Sequence, residues 1–372
     1  MATSDQRCRR LAAHLRPLSP SPAKPVRPAV AAGSAAAPPG EGFRYTLANN
    51  VLTLEERQSY EENGFLVKRG VVPPERLAAY LAHFLRICSG EADSGQMLVM
   101  RDVAIAKSEN VPGQAAITKL QDWQDDDELF DYCVQEEVLR HVRCFVGPAV
   151  RSTHTMLINK PPDPGGGGTS RHPLHQDLYY FPFGPADRVV CAWTAMERVH
   201  RGNGCLTVLP GSHRGELLAH AYPEWGGGVN KMYHGITGDA LPPAQVERRV
   251  HVEMEAGDTV FFHPLLVHGS GMNRTEGFRK AISCHYAAAD APFAPVVGTV
   301  QEPMMAEVLG VLAKKVGVSE DQLELLDPEA RTRLYHAVWR VKNRAIDEAA
   351  KTDANWQRQA GMKTIVKFAT HT

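Results

Sequence analysis

The spacing of apolar positions divides the chain before any single residue does. "TLEERQSYEENG" opens with Thr53 and Glu56 in a capping-box arrangement and stops at Gly64, which predicts a helix. "FLVKRGVV" follows as a strand. Pro73 and Pro74 start a second helix, with Leu77, Tyr80, Leu81, Phe84 and Leu85 at its apolar positions. From about Thr153 to Ala289 the runs are short and β-rich: "THTMLIN", "VVCAWTAM", "GCLTVLPGS", "RRVHVEME", "TVFFHPLLVHG" and "RKAISCHYA", joined by "RGNG", "AGD" and "GSG". Many short strands separated by turn signals predict a β-sandwich or jelly roll, not a parallel α/β sheet. After Gln301 the pattern is helical again, with Leu334, Val338, Val341 and Ala345 at helical spacing. The predicted fold is mainly β with flanking α-helices, a single domain over residues 43–372 whose β core spans about 153–290.

Residues 1–42 stand apart. The first 15 are basic, and 16–42 are rich in Pro, Ala and Ser without periodicity, a composition that buries too little apolar surface to offset its ordering entropy. This segment therefore reads as a disordered linker behind a targeting segment. It lacks the apolar stretch of a secretory signal. "RCRRLAAHL", Arg7 to Leu15, resembles the nonapeptide read by the peroxisomal import receptor, with Arg first, Leu11 fifth and His14-Leu15 closing it; Cys8 departs from the pattern. An Arg-rich, acid-poor start also fits a mitochondrial presequence, the alternative. The C-terminal "FATHT" is no Ser-Lys-Leu-type address.

The totals add bounds. The chain has 372 residues, 43% hydrophobic content and a formal net charge of -1. That supports a sizeable core and gives no charge excess for a nucleic-acid or membrane-surface partner. No apolar run approaches the ~20 residues of a transmembrane helix. Seven cysteines, an odd number without a CxxC pair, read as reduced and mostly buried thiols.

The candidate chemistry lies in "RHPLHQDLYYFPF", residues 171–183. On a strand, positions i and i+2 point the same way, so His175 and Asp177 can converge on one ion. With 16 histidines, about one His-x-Asp is expected by chance. Its downstream partners carry the specificity. His268 sits just past the strand "GDTVFFHP", in the tight "HGSG" exit, and Arg279 enters the next apolar strand. Two His and one Asp suit Fe(II) and leave coordination positions open for an organic cosubstrate and O2. Arg279, in apolar surroundings, needs an anion, and its guanidinium forks onto a carboxylate; Ser270 can add a hydroxyl. His172 has the wrong spacing for a shared strand face, and His263 and His285 read as packing or core. Phe181, Phe183, Phe261 and Phe262 would keep the site dry.

With "YTLANNVLTLE", "HTMLINKPPD", "SRHPLHQDL", "VCAWTAME", "GDTVFFHPLL", "HGSG" and "FRKAISCH", the stretch from Phe43 to about Asp290 resembles the phytanoyl-CoA dioxygenase family of Fe(II)- and 2-oxoglutarate-dependent oxygenases. The resemblance implies a double-stranded β-helix (jelly roll). It implies His175, Asp177 and His268 as iron ligands and catalytic residues. Arg279 and Ser270 would hold the far carboxylate of 2-oxoglutarate, and Lys119, Met156, Gln176 and Trp193 would belong to the same cosubstrate site. The residues alone place Met156 and Trp193 in the core and Lys119 at the surface. The resemblance further implies O2 and an acyl-CoA as substrates, ascorbate as supporting reductant, and 2-hydroxylation of phytanoyl-CoA at the start of peroxisomal α-oxidation. Peroxisomal import is then the preferred reading of Arg7–Leu15. Lys160, Arg171, Lys231 and the basic residues of the last helix are candidates for the CoA phosphates. The glycines at 165–168, the segment 237–246 and the tail after Asp290 depart from the family. Three alternatives stand beside this reading. A hydroxylase for another acyl-CoA or small molecule is the first. A non-catalytic jelly-roll module would usually have lost a ligand, and an iron halogenase would lack Asp177.

Overall fold

The computed structural model describes residues 42–101, 117–163, 168–225, 229–319, 323, 326–351, 357 and 361. The peroxisomal-type nonapeptide and the Pro/Ala-rich linker lie outside the described residues.

Helix α1 (Leu54–Asn63) starts on the reciprocal Thr53–Glu56 capping box and ends at Gly64, whose φ of 79° is left-handed. A Cβ there would also lie 2.5 Å from the His213 ring. Strand β1 (Phe65–Lys68) is shorter than the apolar run around it. Asp258 accepts the Gly70 N–H at 2.8 Å and turns the chain. Helix α2 (Pro74–Ser89) begins directly behind Pro73, as the paired prolines predict. Strands β2 (Leu98–Arg101) and β3 (Ile117–Gln121) precede helices α3 (Asp127–Val134) and α4 (Glu136–Val146).

The β core begins with β4 (Val150–Lys160), β5 (His172–His175), β6 (Val189–Ala195) and β7 (Leu206–Val208). A small ribbon of β8 (His220–Ala221) and β9 (Gly235–Ile236) follows, then the short helix α5 (Pro243–Glu247) and strands β10 (Val250–Val252), β11 (Thr259–Phe262), β12 (His268–Ser270) and β13 (Arg279–Ala288). Helices α6 (Glu302–Val316) and α7 (Pro328–Lys342), strand β14 (Arg344–Ala345) and the short helix α8 (Glu348–Lys351) come last. Two sheets face each other. The larger runs β1-β11-β6-β13-β4-β3-β2, with β14 also on β4; the smaller runs β10-β7-β12-β5. This is the predicted jelly roll with flanking helices. One detail differs from the sequence reading. "HGSG" is not a mere exit from the strand "GDTVFFHP": His268–Ser270 is a strand of its own, β11 pairs in the large sheet and β12 in the small one, so the chain crosses between sheets at residues 263–267.

Strand alternation sorts the side chains. On β13, Ile282, Cys284 and Tyr286 join the cluster under the helices, with Phe145 and Tyr60. Ala281 joins a second cluster between the sheets, with Trp193, Val208 and Phe262. Full burial of each such large side chain is worth about 1.5–3 kcal/mol, so the sheets and helices hold the interior walls of the site rigidly. Among the described residues, the cysteines are free thiols and no helix is long and apolar enough to cross a membrane.

Candidate active site

The pairing of β12 with β5 sets His268 directly opposite His175. Asp177 lies just beyond the end of β5 and opens a 3-10 turn over Asp177–Tyr180 instead of continuing the strand. Gln176 keeps extended backbone angles (φ -121°, ψ 127°), so the alternation runs one step further and the Asp177 carboxylate still emerges beside His175. The donor atoms of His175, Asp177 and His268 all lie within 4.8 Å of one another, and all three residues are buried. Asp177 Oδ1 is 3.2 Å from His175 Nε2 and 3.6 Å from His268 Nε2.

Both imidazoles are aimed by backbone carbonyls. His175 Nδ1 donates to Pro173 O at 2.9 Å and His268 Nδ1 to Leu266 O at 2.9 Å. A carbonyl only accepts, so Nδ1 carries a proton in each ring and each Nε2 is turned toward the other donors. Burial pushes the His268 ring down to about 4, only partly offset by Asp177. Burial alone would raise the Asp177 carboxyl, but the neighbouring His268 and His285 hold it well below the usual range. Two imidazole nitrogens and a carboxylate oxygen are the donor set suited to Fe(II) with open positions. A second convergence, of Asp177, Cys191 and His285, is less apt, because burial raises the Cys191 thiol well above its ordinary value.

His285, read from sequence as core or decoy, is placed by the structure against Asp177: its Nε2 is 2.7 Å from Asp177 Oδ2. His172 sits behind His175, with the two Nδ1 atoms 3.1 Å apart, and does not join the donor set. Gln176 is not brought into the site. Its side chain donates to Glu216 O and Leu265 O, both at 3.0 Å, and accepts from Leu218 N at 2.8 Å. The alternation that brings its two neighbours together sends it to the opposite face.

At the other end of the interior, β13 and β4 pair Arg279 with Lys160. Arg279 is 2% exposed; one terminal nitrogen donates to Gly204 O at 3.0 Å, while Nε and Nη1 have no partner. Buried N–H groups of a cation left open in this way mark the place of an anion. Its guanidinium lies 5.4 Å over the Trp193 ring, and burial lowers it to about 10. Lys119 is buried, not at the surface; burial lowers its amine to about 8, with Asp177 pulling it back up. Lys160, an exterior phosphate candidate by sequence, is also buried. Its amine donates to Ser270 Oγ at 2.8 Å and Gly271 O at 2.9 Å, leaving the Ser270 hydroxyl proton free to point elsewhere. Arg171 lies 3.6 Å over Trp225, and Lys231 is exposed. In α7, Arg333 pairs with Glu329 at 3.0 Å and Lys342 with Asp122 at 2.9 Å.

One cavity of about 880 Å³ joins these groups. His175, Asp177, His268, Arg279, Ser270 and Lys119 line it, as do half-buried Met156 and Trp193, which also packs in the core cluster between the sheets. Tyr180 reaches it, whereas Tyr179 stacks on His220 at 4.3 Å. Phe181 and Phe262 line it; Phe183 backs Phe181 at 5.3 Å and Phe261 packs outward on Phe145 at 6.0 Å.

This jelly roll, with its convergent donor set and cationic far end, defines the class of iron- and 2-oxoglutarate-dependent oxygenases. The same fold recurs in the crystal structure of apo EctD from S. alaskensis, at a TM-score of 0.53 and 15% identity, covering 68% of this chain and 84% of that one. A family model described as phytanoyl-CoA dioxygenase (PhyH) matches residues 60–281. The chain is 56% identical over 285 residues to the human protein "Phytanoyl-CoA dioxygenase, peroxisomal", covering 77% of this chain and 82% of that protein. It is 50% identical over 309 residues to the "Probable phytanoyl-CoA dioxygenase" of Caenorhabditis elegans, covering 82% and 96%. The chain belongs to the phytanoyl-CoA dioxygenase family, whose members are Fe(II)- and 2-oxoglutarate-dependent hydroxylases.

Proposed function

We propose that the protein hydroxylates C2 of phytanoyl-CoA, in the peroxisome, with Fe(II), 2-oxoglutarate and O2, and with ascorbate as supporting reductant. The names of the relatives supply the substrate and the compartment. The observation that carries the reading is the single cavity with His175, Asp177 and His268 converging at one place and Arg279, with two open N–H donors, at another. One turnover converts acyl-CoA, 2-oxoglutarate and O2 into 2-hydroxyacyl-CoA, succinate and CO2.

His175, Asp177 and His268 would hold Fe(II), which when bound supplies the O2 activation that C–H hydroxylation requires. The chain's own work is positioning. Pro173 O and Leu266 O keep the two Nε2 atoms aimed inward. His285 occupies Asp177 Oδ2 and leaves Oδ1 for the shared site. Arg279 and the Ser270 hydroxyl would fix the remote carboxylate of 2-oxoglutarate, with Lys119 adding charge. Phe181, Phe262 and Trp193 exclude water.

Purified protein given Fe(II), ascorbate and 2-oxoglutarate should release succinate in step with 2-hydroxyphytanoyl-CoA when phytanoyl-CoA is added. Succinate formation no higher than in a His175→Ala control would remove the enzyme reading. Coupled turnover of a different acyl-CoA only would keep the enzyme and replace the substrate.

A further inference from the structure

The cavity does not end at the β sandwich. Val308, Val311 and Leu312 of α6 and Val338 and Val341 of α7 line the same space as His175 and Asp177. Their spacings, i, i+3, i+4 on one helix and i, i+3 on the other, give each helix one apolar stripe on that wall. Both helices lie beyond residue 281, where the match to the family model stops. The charged side chain that they add to the described wall is Lys342, whose amine is 2.9 Å from Asp122 and so offers no free cation to a phosphate.

The stripe is tied to the reacting end by contacts that run without a break. Trp339 of α7 packs edge-on to Phe181 at 5.2 Å and to His154 at 6.1 Å. His154 is 5.7 Å from His285, which holds Asp177. Two polar anchors seat the helices on the turn that carries Asp177. The Gln301 amide donates to Leu178 O and Phe181 O, both at 2.8 Å, and Tyr335 Oη donates to Tyr180 O at 2.8 Å. The position of the apolar wall is therefore fixed relative to the metal-binding triad.

We infer that α6 and α7 form the bed for the hydrocarbon tail of the acyl thioester, and that Val308, Val311, Leu312, Val338 and Val341 set its chain-length and branching preference. This rests on the acyl-CoA reading above. A thioester whose C2 stands at the triad must send its tail along an apolar wall and its phosphates to water. Each methylene moved from water to such a wall is worth about fourfold in affinity, so a wall this long discriminates strongly by chain length.

The test uses full-length enzyme and two substrates, phytanoyl-CoA and 3-methylbutanoyl-CoA. Val311→Trp and Leu312→Trp, both at half-buried positions, should lower the ratio of kcat/KM for the long over the short substrate by about tenfold or more. The KM for 2-oxoglutarate should stay at the wild-type value. A ratio left unchanged overturns the inference while leaving the proposed function intact. Wild-type enzyme that turns over no acyl-CoA overturns the proposed function itself. Independently of any variant, a long acyl-CoA with a diazirine at its ω end should label peptides from 302–342 of the wild-type protein; label confined to other segments overturns the inference.

Discussion

His285 Nε2 and Asp177 Oδ2 stand 2.7 Å apart, joining strand β13 of the large sheet to the turn that leaves the small one. The contact consumes one carboxylate oxygen and leaves the other toward His175 and His268. A carboxylate whose second oxygen is held by a neighbour is aimed before any metal arrives, and loss of such an outer partner typically costs about 10–100-fold in metal affinity. His285→Phe should therefore weaken Fe(II) binding by that order, with most activity regained at high iron. His285→Gln, which keeps an N–H donor, should fall between. Iron titrations of succinate formation check this, and an unchanged iron requirement would remove His285 from the role.

Arg279 offers a second test. Two of its N–H groups are buried without partners, so a bound carboxylate gains charge-assisted hydrogen bonds that cost no partner exchange. A ground-state grip appears in KM before kcat. Arg279→Ala should raise the KM for 2-oxoglutarate by about 10²-fold, in keeping with about 1.5–3 kcal/mol for each hydrogen bond to a charged group. Arg279→Lys, which keeps charge but loses the fork, should recover part of it. Steady-state kinetics at saturating acyl-CoA measures both.

Lys119 predicts a pH dependence. Burial lowers its amine to about 8. Below that pH it is charged and, in the proposed role, would attract the cosubstrate; above it the charge is lost. The affinity for 2-oxoglutarate should accordingly fall as pH rises, by about tenfold between pH 7 and 9 if Lys119 alone titrates. Lys119→Met should bind more weakly at pH 7 and show no such fall. Direct 2-oxoglutarate binding across pH, with iron held saturating, reads this out; a slope retained in the variant assigns it to another group.

The sequence made the triad legible because strand alternation is strictly local: it aims His175 and Asp177 together from their spacing alone. The same alternation, carried further, reaches residues that sequence reasoning missed or misplaced. Counting by twos from Arg279 arrives at His285, and from Met156 at Lys160. It also turns Gln176 away from its two neighbours. What no local pattern carries is the cross-sheet geometry. The opposition of His268 and His175 depends on β11 and β12 lying in different sheets, and Lys160 finds a hydroxyl and a carbonyl brought from a segment far along the chain. The helical spacing of α6 and α7 was legible, but not that their apolar stripes face a cavity.

That cross-sheet register can itself be attacked at one atom. A Cβ built on Gly269 would lie 2.8 Å from His172 O and 2.8 Å from Pro173 O, both backbone atoms of β5. A side chain end can swing aside; paired strands cannot move without opening the ladder that holds His268 opposite His175. Gly269→Ala should therefore cost about 1–3 kcal/mol of stability, the usual range for overpacking, and weaken iron binding at the same time. At Gly271, two residues on, a Cβ would meet nothing within 4 Å, so Gly271→Ala should leave stability within about 0.5 kcal/mol of wild type. Urea unfolding and iron titration of the two variants give the comparison. If Gly269→Ala loses neither stability nor iron affinity, the close approach of β12 to β5 does not set the metal-site register.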